Sequence, residues 1–338
     1  MAKSRKRPTM LDIARAAGVS PMTVSRAFRN DGSVMEKTRA AVARAAEDLG
    51  YVFDSTASNL RSQRTGFVAA TIPSINNANF ADTVRGLTEG VGEVGQQILL
   101  GSTGYDILRE EQLIEQLLRR RPDAIVVTGG KHTPRARRLL ENAAIPVVET
   151  WDLPESPIEH VVGFSNAEAV QGLVDHVVAS GRRRIAFLGG DADRDTRGAD
   201  RRAGFIAAMR RHGLEATRLI DAGTPPISMR EGAQAMAGLL AAMPDTEAVI
   251  CVSDLSAFGA LTECQRRGID VPGRIAIAGF GDYEIAAICV PALTTINPYP
   301  YEIGRRAAAI IVEALAGGIA APRSAVIAPT LLPRQTTG

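Results

Sequence analysis

The stretch Thr9 to Asn30 reads TMLDIARAAGVSPMTVSRAFRN. It has the punctuation of two short helices joined by a tight turn. Thr9 is placed to cap the first helix, with Asp12 three residues on in capping-box spacing. Ile13, Ala14 and Ala17 form its apolar face. Gly18 tolerates positive φ and ends it. Ser20 caps the second helix, and Pro21 takes the first helical position, where a missing N–H costs nothing.

The second helix has two unlike faces. Val24, Ala27 and Phe28 fall at core spacing. Pro21, Met22, Ser25, Arg26 and Arg29 fall on the other side, because residues four apart stack on one face. That face is small, polar and cationic. Such a helix fits the DNA major groove, where arginine makes bidentate bonds to guanine. The pair reads as a helix-turn-helix with its reading helix second. On these residues alone, a surface hairpin with a basic face stays open as the other reading.

Charge placement bears on that choice. Residues 1–64 hold twelve Lys/Arg against six Asp/Glu, a charge of +6, and the remaining residues hold 27 against 31, a charge of −4. A basic head on a mildly acidic body confines polyanion binding to the head. The 338 residues suffice for two or three domains, and 45% apolar content supports a sizeable core. Cys251, Cys264 and Cys289 form an odd set without metal-ligand spacing, as expected of reduced core cysteines in a cytoplasmic protein. No apolar run approaches 20 residues, and the basic N-terminus lacks the apolar region of a signal peptide.

Further along, a third helix is expected from about Glu36 to Leu49, ended by Gly50, with Val42, Ala45, Ala46 and Leu49 inward. Tyr51 to Arg64 is a polar connector with helical potential around Thr56–Leu60. From Gly66 short apolar runs alternate with amphipathic helices. The runs are Phe67–Ile72, Gln97–Leu100, Ala124–Thr128, Pro146–Thr150, Arg184–Gly189, Arg218–Asp221, Ala248–Val252 and Ile275–Phe280. That alternation predicts parallel sheet buried on both faces. Roughly ten units exceed one small doubly wound sheet, so two lobes with a cleft are expected, followed by a helix over Glu302–Leu315 and a last strand over Ser324–Leu332. The fold class is an all-α helix-turn-helix head plus an α/β body of two doubly wound parallel-sheet lobes. Ligands of open α/β sheets bind beyond the carboxyl ends of the strands. This selects the loops Pro73–Phe80, Glu149–Asp152, Gly190–Arg201, Ser253–Leu255 and Gly281–Glu284.

Enzyme chemistry finds no footing. Gly129-Gly130-Lys131 follows a strand but lacks phosphate-loop spacing, and Gly189-Gly190 lacks the dinucleotide pattern. His132, His160, His176 and His212 pair with no nucleophile or metal-ligand set, and His132 reads as an isolated exposed histidine. No catalytic residue, metal site or cofactor is therefore expected.

Residues 9–60 resemble the lactose-repressor family of bacterial regulators. Leu11-Asp12-Ile13-Ala14, Ala17-Gly18-Val19-Ser20, Thr23-Val24-Ser25-Arg26, Thr38-Arg39, Leu49-Gly50-Tyr51 and Leu60 carry the likeness. It continues through Ile185–Gly189, Arg201 with Ala203-Gly204-Phe205, Ser253-Asp254, Ile277–Phe280, Pro291–Ile296 and Gly304–Ala307. Val161–Asn166 and Gly279–Ile285 look most like the gluconate-type repressors. The resemblance implies a body like periplasmic sugar-binding proteins and a homodimer on a pseudo-palindromic duplex operator. It implies DNA contacts at Thr9, Met10, Ser20, Pro21, Met22, Thr23, Ser25, Arg26, Arg29, Thr38, Ala57 and Leu60. A hinge helix matching Thr56–Leu60 would fold on DNA, with Leu60 wedged into the minor groove. The implied boundaries are 1–50 for the head, 51–65 for the hinge, 66–163 plus about 297–323 for one lobe, and 164–296 plus about 324–338 for the other.

Departures from the family pattern carry expectations too. Arg29 and Asp54 stand where members usually have Asn, and Met35 where they often have Ser, so Ser33 is expected to supply the missing cap. Pro21 and Met22 imply apolar readout, against a thymine methyl for instance. The implied effector contacts are Asn79, Phe80, Trp151, Arg197, Arg201, Ser253, Asp254 and Asp282, with Arg194 adding charge. Arg201 suits a carboxylate or phosphate. Trp151 is open to two readings, stacking on a sugar ring or core packing. Gly281 stands where many members carry an effector-binding aspartate, which favours an acidic ligand. The expected function is a DNA-binding regulator, a repressor, controlled by a sugar acid such as gluconate, a ketogluconate or a phosphorylated form. The alternatives are a sugar-binding module without DNA regulation and a corepressor-dependent regulator of another metabolite. Without a heptad tail before Gly338, a dimer is expected rather than a tetramer.

Overall fold

The structure is a computed structural model that describes residues 8–29, 31–53, 64–190, 193–319 and 321–338. The chain divides into two compact units, Met1–Thr65 and Gly66–Gly338.

In the first unit, helices α1 (Met10–Ala17), α2 (Pro21–Phe28) and α3 (Glu36–Leu49) lie where the capping signals put them. Thr9 and Asp12 close a reciprocal capping box, and Gly18 ends α1 at φ 67°. Ser20 accepts from the Thr23 amide, and Gly50 ends α3 at φ 61°. Ile13, Ala14, Val24, Ala27, Val34, Val42, Ala45 and Ala46 bury together as its core. Three details differ from expectation. Leu49, expected inward at the end of α3, is 40% exposed. No side chain caps α3 at Met35; the Ser33 amide instead donates to Asp31, which turns that residue into the loop. The unit also runs past residue 50, since the Phe53 ring stacks on Phe28 at 4.8 Å. Asp54 and the hinge residues Thr56–Leu60, Ala57 among them, lie outside the described residues.

The second unit contains two parallel sheets. The first has the order β11-β5-β4-β3-β1-β2, built from Phe67–Ile72 (β1), Gln97–Ser102 (β2), Ala124–Thr128 (β3), Val147–Thr150 (β4), His160–Gly163 (β5) and Ser324–Val326 (β11). The second has the order β7-β6-β8-β9, built from Ile185–Gly189 (β6), Leu219–Asp221 (β7), Ala248–Cys251 (β8) and Ala276–Ala278 (β9). Strands β4, β5, β6, β8 and β9 are buried throughout, as sheets covered on both faces require.

The expected last strand, Ser324–Leu332, is two strands. Ser324–Val326 pairs with β5 in the first sheet, and Thr330–Leu332 (β12) pairs antiparallel with Thr295–Asn297 (β10). Residues 324–326 therefore sit in the first lobe, not the second as the expected boundary had it. The chain passes between lobes three times, after β5, after β10 and between β11 and β12. The returning helix over Pro300–Leu315 packs on the helix over Ala78–Gly92 at backbone contact: a Cβ on Gly304 would stand 2.1 Å from the Thr83 carbonyl oxygen.

Candidate functional site

In the head, Met22 is 61% exposed, and Pro21, Arg26 and Arg29 are exposed beside it. Arg26 reaches only the Asp31 carboxylate, at 4.0 Å. The Arg29 side chain folds back on its own helix, donating to the Ser25 carbonyl at 3.2 Å and to the Ser25 hydroxyl. Thr9 and Ser20 use their hydroxyls as caps, Ser20 also meeting the Thr23 hydroxyl at 2.9 Å. Met10 packs against the small core. Thr38 lies half-buried in the first turn of α3, its amide donating to the Met35 carbonyl. The face left open is the one that helical spacing picked out: Pro21, Met22, Arg26 and Arg29. One structural residue was missed. Arg39 donates to the carbonyls of Ala27, Asp31 and Val34, which ties α3 to the carboxyl end of α2. Nothing in its spacing separates it from a surface arginine.

In the body, a cavity of about 200 Å³ lies beyond the carboxyl ends of both sheets. Its walls come from the segments after β1 (Ser74, Asn76, Asn77, Asn79, Phe80), β2 (Tyr105), β4 (Trp151), β6 (Asp195, Arg197, Arg201), β7 (Pro225 to Ser228), β8 (Val252, Ser253, Leu255) and β9 (Phe280, Tyr283). The floor is aromatic. Phe80 meets Trp151 edge-on at 5.3 Å, Trp151 meets Phe164 at 5.9 Å, and Phe164 stacks with Phe280 at 6.1 Å. Trp151 is core-packed, 2% exposed and edge-on to Phe80 and Phe164, and it also lines the cavity. Its indole N–H donates to the Thr83 hydroxyl at 3.1 Å.

Arg201 lies 3.7 Å over the Phe280 ring. Its Nε donates to Asn166 Oδ1 and its Nη1 to the Val252 carbonyl, both at 2.9 Å. Asn166 in turn donates to the Trp151 carbonyl at 2.9 Å, so the arginine is braced to the crossing between lobes. Burial pulls its guanidinium down to about 10, against the lift from Asp195. Arg197 is buried near the Phe80 and Tyr105 rings, at 5.6 and 5.9 Å. A buried guanidinium over aromatic faces gains from a desolvated anion set against it.

Of the expected contacts, Asn79, Phe80, Trp151, Arg197, Arg201 and Ser253 come together on this cavity, and Asp254 and Asp282 do not. The Asp254 carboxylate is wholly buried, accepting from the Thr295 hydroxyl at 2.6 Å and the Tyr283 amide at 2.8 Å. It ties the second sheet to the crossing strand, and burial pushes its acid up to about 7. Asp282 turns away to Arg334 at 2.6 Å and Asn297 at 2.8 Å. Gly281 has φ 134°, and a Cβ there would come within 2.8 Å of Asn79 and 2.5 Å of the Tyr283 ring, so no aspartate fits. Arg194 does not line this cavity and lies 3.9 Å from Asp106. Tyr105 and the Pro225-Pro226 turn were missed, because they lie on loops outside those selected.

His132 is not exposed. Its side chain is 1% accessible, 2.9 Å from Glu110 and 3.6 Å from Glu149. Burial works against its charge, but the hydrogen bond to Glu110 and the nearby Glu149 carboxylate outweigh that and push it up to about 9.

A helix-turn-helix with an open cationic face, in one chain with a two-lobed body whose ligand cavity lies at the strand ends, defines a class: DNA-binding transcriptional regulators with a small-molecule-binding body. Comparison with known proteins agrees. Residues 9–54 match the family described as bacterial regulatory proteins, lacI family, and residues 174–337 match the periplasmic binding protein-like domain. The HTH-type transcriptional regulator GntR of Pseudomonas aeruginosa is 37% identical over 92% of this chain and 90% of its own. The regulator IdnR of Escherichia coli is 33% identical over 91% and 92%. The crystal structure of a LacI-family transcriptional regulator from Silicibacter pomeroyi superposes with a TM-score of 0.92 at 33% identity, covering 98% of this chain and 99% of that one. The chain belongs to the lacI family of bacterial regulatory proteins and is a DNA-binding transcriptional regulator, not an enzyme. Among the described residues no helix is long and apolar enough to cross a membrane.

Proposed function

We propose that this regulator is a cytoplasmic repressor that acts as a homodimer on a pseudo-palindromic operator and answers to a sugar acid of the gluconate type. One observation carries the ligand class: two arginines, Arg197 and Arg201, stand in a small cavity whose described walls also carry amides, hydroxyls, aromatic rings, aliphatic side chains and a single carboxylate, Asp195. The arginines suit a carboxylate, the amides and hydroxyls suit a polyol, and the rings cover the apolar face of a sugar chain. The likeness to regulators named GntR and IdnR supports the same class.

For the head, the open residues Pro21, Met22, Arg26 and Arg29 are the reading face, with Thr9, Ser20, Thr23, Ser25 and Thr38 near the phosphates. Ala57 and Leu60, outside the described residues, keep the hinge role implied by the family. The effector changes operator affinity only by the difference in its affinity for the two lobe arrangements.

Isothermal titration with gluconate, 6-phosphogluconate and neutral hexoses tests the ligand class. Binding of a sugar acid is expected, and binding of a neutral hexose alone rejects it. A gel shift on operator DNA with each binder gives the sign, with release expected for an inducer.

A further inference from the structure

The charges inside the cavity are not paired with one another. Among the described residues, Arg197, Arg201 and Asp195 are the charged ones on its walls. The arginines donate to Thr128, Asn166 and Val252. Asp195 is only 9% exposed. It occupies the cap position of the helix over Thr196–Arg211, yet its carboxylate takes no backbone amide there. That carboxylate lies over Gly198, where a Cβ would stand 2.2 Å from Oδ2, so the missing side chain leaves it room. Among the described residues none donates a hydrogen bond to it, and neither guanidinium comes within ion-pair distance. A carboxylate on a cavity wall that takes no protein donor offers its lone pairs to whatever occupies the cavity.

We infer that Asp195 is a specificity-determining residue. It accepts hydrogen bonds from ligand hydroxyls, and its charge limits the ligand to a single negative charge. This rests on the sugar-acid reading above and narrows it. Among the described wall residues, two arginines against one carboxylate leave one net positive charge, which a monoanionic polyol such as an aldonate balances. A phosphorylated aldonate brings further negative charge into about 200 Å³ beside Asp195, where like charges repel without water to screen them. A neutral polyol satisfies Asp195 but leaves the arginines unanswered.

The test is titration of the full chain with gluconate, 6-phosphogluconate and sorbitol, for the native protein and for the variants Asp195→Asn and Asp195→Ser, each checked for an unchanged fold by circular dichroism. The native protein is expected to prefer gluconate over 6-phosphogluconate at least tenfold. Both variants are expected to shrink that preference at least tenfold or invert it, a change of ratio that a merely structural role for Asp195 would not produce. An unchanged ratio in both variants overturns the inference, as does a native preference for the phosphorylated acid. If the native protein takes sorbitol and no acid, the sugar-acid reading falls. Loss of sorbitol binding in the variants would then still support the hydroxyl-accepting role, and unchanged sorbitol binding would end it. Silence from all three probes overturns both.

Discussion

Head and body use arginine in opposite ways. Arg26 and Arg29 stand in water on a short helix, held by one distant carboxylate and by the helix itself. Arg197 and Arg201 lie inside the body against aromatic rings, with their hydrogen bonds fixed by backbone and amide oxygens. An exposed guanidinium gains little from any one partner and sums its effect over a repeating polyanion. A desolvated one binds a single anion strongly, because no solvent competes. The same residue type is therefore expected to give a salt-sensitive grip in one unit and a salt-insensitive one in the other.

Salt is the sharpest way to break that contrast. Between 50 and 200 mM salt, operator affinity should fall on the order of a thousandfold, while ligand affinity measured by titration should change less than about threefold. Equal slopes would mean that the two sets of arginines do not differ as their burial says.

The body's other buried cation extends the comparison to pH. His132 is raised to about 9 between Glu110 and Glu149, above its ordinary 6.5. A raised folded-state value gives stability that is fully present below 6.5 and is lost as pH climbs through 9. The body's melting temperature should thus drop across that window, by an amount equivalent to about 3 kcal/mol at most. His160 and His176 are held low by burial, and burial of the Asp254 acid raises it to about 7, so their effects fall at lower pH. All four histidines belong to the body, so a head melting separately should not follow. Replacement His132→Asn should remove the drop measured by calorimetry; its persistence would assign it elsewhere.

The smallest expected effect is in the head. Substitution Arg26→Ala should weaken operator binding by about 1–3 kcal/mol and relax preference at one base pair. Binding-site selection with the variant checks this, and an unaltered base preference would remove the contact.

The two units also differ in how much of them could be read in the chain. Both caps of α1 and the N-cap of α2 were legible, because capping is settled within four residues; the end of α2 at Arg29 was not. In the body the strands with long β-branched runs were legible, such as Ala124–Thr128. His160–Gly163 is too short, and the helix Pro134–Glu141 buries only Ala136 and Leu140 behind a row of arginines, so neither stood out. The strand-end rule located most cavity loops. It could not tell which acids in them line the cavity. Asp254 and Asp282 are spent on the crossings between lobes, and those contacts span dozens of residues.

Trp151 is the only tryptophan in the chain, and its carbonyl is linked through Asn166 to the arginine that faces the cavity. Excitation at wavelengths too long for the five tyrosines therefore selects one indole at one address. A ligand entering beside it is expected to change the colour or intensity of that emission in an unlabelled sample.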